Sequence, residues 1–172
     1  MTSTDSHLKV VWRDDGHTLN STTDLLRFDV ADLNRVINRS VADAHAYSHL
    51  NERAGLPSGF DMLPISCFAV TADWPLRRVL ELDPRSYRLA PAHVLIDNGL
   101  PVIPTRIFED GVEAAGGDVH YDVIIVAKAD LLDTFKPGQD RKRARATVRP
   151  AFEKALGLLG DLHQRNPSSD VR

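Results

Sequence analysis

Four consecutive β-branched residues, Val123-Ile124-Ile125-Val126, constrain this chain more than any other feature. An unbroken apolar run in residues that favour extended backbone describes a strand covered on both faces. His120 to Ala129 is therefore expected as the central strand of a sheet, entered from a loop at Gly116-Gly117. Its cover must come from elsewhere, and two long helical patterns supply it. In the first, about 30–53, Val30, Leu33, Ile37, Val41, Ala44 and Ser48 form one stripe, and Gly55 and Pro57 stop it. In the second, about 140–163, Ala144, Val148, Phe152, Ala155, Leu159 and Leu162 alternate spacings of four and three. Pro150 lies inside the second and implies a kink or a restart there.

The remaining segments read mostly as strands. Leu8 to Trp12, the turn signal Asp15-Gly16 and His17 to Leu19 suggest an N-terminal hairpin or arm. Ser21 and Asp24 have the spacing of a helix-capping box. Strands are expected at Ile65 to Thr71, Val79 to Leu82, Tyr87 to Asp97 and Leu100 to Phe108, with Asn98-Gly99 joining the last two as a hairpin. Pro101 and Pro104 remove ladder donors, which makes the second arm of that hairpin an edge or bent strand. Strands and helices do not alternate. The expectation is an α+β fold, a mostly antiparallel sheet of roughly four to six strands with both long helices on one face. The corresponding division is an arm over 1–20, a single domain over 21–165 and a tail over 166–172.

Composition narrows the function classes. With 172 residues, 42% of them hydrophobic, one core needs no disulfide or metal staple. The single cysteine, Cys67, sits in an apolar run and reads as a buried small hydrophobe. Met1 to His7 lacks the basic start and apolar stretch of a secretion signal, so a cytoplasmic setting is expected. A formal net charge of −3 gives no overall grip on nucleic acid. The charge is unevenly spread, however. From Glu109 to Asp133 seven acids face one base, and from Lys136 to Arg149 six bases face one acid.

That asymmetry carries the leading functional expectation. Arg141, Arg145 and Arg149 recur every four residues and, with Lys142, make a basic helix. Such a helix could meet the acids Glu109, Asp110, Glu113 and Asp118 of a second copy, giving a ring or stack. The chain is then expected to be a non-enzymatic assembly subunit, with copies of itself as partners and no cofactor. A small sheet with a long terminal helix and arms is of the kind used by ring-forming tail and neck proteins of phage-like particles, an analogy of architecture alone. The alternative is a metal-dependent hydrolase or nuclease in which His45, His49 and Glu52 hold a divalent ion such as zinc. The residue after His45 is Ala46, where the zinc-protease helix places its glutamate, so that motif fails. A nucleic-acid-binding module using the basic helix is the third class, with no aromatic residues interleaved to stack bases.

Overall fold

The computed structural model describes residues 7–14, 19–29, 32–135 and 141–165. The strands are β1 (Leu8–Trp12), β2 (Asp24–Phe28), β3 (Phe60–Val70), β4 (Tyr87–Pro91), β5 (Val102–Glu109), β6 (Val112–Glu113) and β7 (His120–Lys128). The helices are α1 (Leu33–Tyr47), α2 (Leu76–Leu80), α3 (Ala92–Ile96), α4 (Ala129–Asp133) and α5 (Arg141–Leu158), with 3-10 turns at Ser48–Leu50 and Gly117–Val119. All strand pairs are antiparallel, in the order β1-β5-β7-β3-β2-β4, and β6 pairs with β5. The fold is α+β as expected, with seven strands among the described residues in place of the four to six anticipated.

Alternation along the two central strands separates two cores. Leu63, Ile65, Cys67 and Ala69 of β3 and Tyr121, Val123, Ile125 and Ala127 of β7 face one side. There they meet Val148, Phe152, Ala155 and Leu156 of α5, along with Leu159. Met62 and Ile124 face the other side and pack with Val10, Ile103, Tyr47 and Leu50. The expected one-sided arrangement of the long helices is only half met. Val36, Ile37 and Ala44 of α1 join the first core and Tyr47 the second. Pairing of β2 with β3 stops at Leu26↔Phe68, and α1 also packs against β3. Cover on the second side also ends early, since Val126 is 41% exposed.

Several local expectations are corrected. The expected strand Val79 to Leu82 is the end of helix α2 and the turn after it. Leu76, Val79 and Leu80 carry helical spacing, and Pro75 at the N-cap supplies the start. Asn98-Gly99 closes helix α3 and joins no hairpin. Gly99 takes φ +82, and the N–H groups of Gly99 and Leu100 bond Ile96 O and Leu95 O at 3.0 and 3.1 Å. The tight hairpin is at Asp110-Gly111, whose φ values of 52 and 82 fit a type I′ turn. Ser21 to Asp24 leads into β2, and the helix cap is Asp32, whose side chain accepts from Asn34 N. The turn Asp15-Gly16 lies outside the described residues, and β1 pairs with β5. Helix α5 runs unbroken through Pro150. Cys67 is buried and free as expected.

Pro104 has a consequence for the site. Strand β5 is internal, not an edge: Val102, Ile103 and Pro104 pair with β7, and Thr105 to Glu109 pair with β1. The residue without an N–H stands where β5 changes partner, and next to it Thr105 is fully buried.

Candidate functional site

The register of the central strands gathers polar side chains into the second face. Ser66 lies opposite Asp122 and Phe68 opposite His120, so Ser66, Asp122 and His120 share a face. Ile103 opposite Asp122 places Thr105 on that face as well. Tyr47 enters from the last turn of α1, and its hydroxyl donates to Asp122 Oδ2 at 2.7 Å. The Thr105 hydroxyl donates to the same oxygen at 2.7 Å. Asp122 has no exposed surface, and its Oδ1 has no hydrogen-bond partner. Burial, reinforced by the Asp122 charge, pushes the Tyr47 phenol well above its ordinary range, which keeps its proton in place for donation.

Proton positions in this network follow from its bonds. A carboxylate only accepts, so Thr105 gives its proton to Asp122 and its oxygen must accept from His120 Nδ1 at 2.9 Å. His120 therefore carries a proton on Nδ1, which makes Nε2 the acceptor in the neutral ring. Ser66 Oγ lies 2.6 Å from Nε2 and donates to it in that neutral tautomer. The imidazole is held on its other sides by the edge of Phe68, 5.3 Å between centroids, and through its backbone carbonyl by Arg13 Nη2 at 3.0 Å. The result is a serine–histidine pair oriented by a carboxylate through one intervening hydroxyl.

Ser66 stands between two cavities. One, about 170 Å³, runs toward Ala114, Ala115 and His120. The other is a cleft of about 870 Å³ along α1, reaching Ser66 and Asp122 at its wall. Arg39, Asp43 and Tyr47 line both. Four arginines converge on the larger cleft: Arg27 from β2, Arg35 and Arg39 from successive turns of α1, and Arg85 from the loop before β4. Arg27 Nη1 donates to Ser66 O at 3.0 Å, and its buried Nε has no partner. Burial lowers Arg27 from its ordinary value, against the pull of Cys67 and Asp29. Arg39 binds Asp43 at 3.0 Å and is raised by it, yet burial also raises Asp43 above the ordinary carboxylate range. Arg85 is paired with Asp83 at 2.6 Å. Arg35 is exposed, and its guanidinium makes no hydrogen bond or ion pair with any described residue.

The residues singled out from sequence lie elsewhere. His45 and His49 are exposed at the end of α1, where the 3-10 turn breaks the regular spacing, and His45 Nδ1 sits 2.8 Å from Ala42 O. Glu52 is exposed in the following turns, and no group of three His, Cys, Asp or Glu among the described residues is placed to hold a metal. On the basic helix, Arg141 and Lys142 are exposed and Arg145 is partly buried, while Arg149 Nη2 bonds the side chain of Asn34. On the acidic surface, Glu113 and Asp118 both accept from Arg106, at 2.7 and 3.0 Å, and Asp110 accepts from His7 N. Glu109 is exposed at the end of β5.

The sequence did carry one signal for the network. His120 and Asp122 two apart on a strand must share a face. Ser66, Thr105 and Tyr47 come from three other elements, and nothing local marks them. Comparison with protein-family models, with curated proteins and with solved structures yields no match.

Proposed function

We propose that this protein binds a small anionic ligand, a carboxylate or phosphoryl compound, in the cleft along α1. The convergence of Arg27, Arg35, Arg39 and Arg85 on one cleft carries this proposal. Guanidinium groups bind carboxylate and phosphate through paired N–H donors in a fixed plane, and a recess lowers the dielectric around them. Asp43 and Asp122 line the same cleft, which favours a ligand that also presents hydrogen-bond donors. Calorimetric titration with citrate and with pyrophosphate at low ionic strength tests this. Saturable binding is expected, weakened about tenfold or more by Arg35→Ala with Arg39→Ala, a loss of roughly 1.4 kcal/mol. No saturable binding of either probe, or binding untouched by the double substitution, refutes it.

Assembly is the second proposal, favoured by β1, an end strand of the sheet with no strand on its outer edge among the described residues. Arg106 already holds Glu113 and Asp118 within the chain, which lowers the charge left for a neighbour. Solution mass by light scattering at low and high salt separates a salt-sensitive oligomer from a monomer.

A further inference from the structure

Building on that cleft, we infer that Ser66 is a nucleophile with His120 as its general base, acting on an ester that carries a negative group. Three observations meet at one atom. Ser66 Oγ is 2.6 Å from His120 Nε2, within the distance needed for proton transfer. The bond from His120 Nδ1 to Thr105, and from Thr105 to Asp122, fixes the tautomer that leaves Nε2 free to accept. Ser66 also lines both cavities and is only partly buried. Asp122 Oδ1 has no hydrogen-bond partner and lies 3.9 Å from His120 Nε2, so the carboxylate flanks the serine–histidine pair directly as well as through Thr105.

The step balances without a further reagent. Ser66 Oγ bonds to the ester carbonyl carbon while its proton passes to His120 Nε2 and the carbonyl π pair moves to oxygen. Collapse restores the carbonyl and breaks the bond to the alcohol oxygen, which takes the proton from His120 and leaves as the alcohol. Water then gives a proton to Nε2 and attacks the acyl carbon, and Ser66 Oγ departs with that proton, releasing the acid. Arg27, bound to the Ser66 carbonyl, is the cation that this proposal assigns to the developing oxyanion. Arg35 and Arg39 hold the negative group of the substrate at the cleft mouth. Thr105 and Asp122 act as positioning residues.

A fluorophosphonate probe of no net charge tests this on the full chain. It should label one residue, Ser66, with loss of fluoride and the matching mass gain, and Ser66→Ala should abolish labelling. His120→Asn should slow labelling by about a hundredfold or more. Because substitutions in a buried network can unfold the chain, Thr105→Val is read in parallel by ¹⁵N NMR. Native His120 should show the Nδ1–H tautomer, and the variant should lose it while labelling slows. A folded native protein that takes no label, or that labels equally fast with His120→Asn, overturns the inference. The probe does not need the arginines, so failed labelling with intact citrate or pyrophosphate binding removes the nucleophile and leaves the anion cleft. Labelling without anion binding does the reverse.

Discussion

Tyr47→Phe removes one oxygen and leaves the ring packed against Val10, Met62 and Ile124. What it deletes is a 2.7 Å bond between two buried groups, Tyr47 at 3% exposure and Asp122 at 0%. Hydrogen bonds to charged groups contribute about 1.5–3 kcal/mol. Asp122 would keep only Thr105 as a donor, because Oδ1 has no partner already, so the upper half of that range is expected. For a chain of this size, each kcal/mol lowers the melting temperature by roughly 2–4 °C, which predicts a fall of about 4–12 °C. Urea unfolding should move its midpoint with an unchanged slope, since the same surface is exposed. A cycle with Thr105→Val should show strong coupling, as both hydroxyls serve one oxygen. A loss below about 0.5 kcal/mol would refute the premise that Asp122 is a buried carboxylate held by these two donors.

Two further outcomes follow from local geometry. Burial lifts the Cys67 thiol from 9.0 to about 12, so folded protein holds that proton more tightly than unfolded chain does. Its contribution is fully present below pH 9.0 and is lost as pH rises toward 12, at about 1.4 kcal/mol per pH unit. Cys67→Ala should therefore flatten the alkaline arm of the stability curve, checked by urea unfolding from pH 8 upward; an equally steep arm contradicts the assignment. Gly160 has φ +92, and a Cβ there would stand 2.7 Å from Leu89 O, so Gly160→Ala should cost about 2 kcal/mol or more. Gly157, on the exposed side of α5 with open space around it, is the control, and its change to Ala should raise the melting temperature.

By itself the sequence determined the features that repeat along the chain. The stripe from Leu33 to Ala44, the seam from Ala144 to Ala155 and the apolar run Val123 to Val126 each fit one kind of element, so two long helices and a central strand formed there, with α1 ending at Tyr47 and α5 at Leu158, short of the expected ends. Short segments were decided differently. Val79 and Asn98-Gly99 fit either a strand or a helix end, and packing of Val79 on Leu26 and Phe28 fixed the choice for α2. Strand partners belonged wholly to the tertiary structure, since β5 pairs with β1 and β7 across long separations and changes between them at Pro104. The candidate site inherits that dependence. Ser66, Thr105, His120, Asp122 and Tyr47 come from four elements, and only antiparallel register and the path of α1 bring their oxygens and nitrogens within 3 Å of one another.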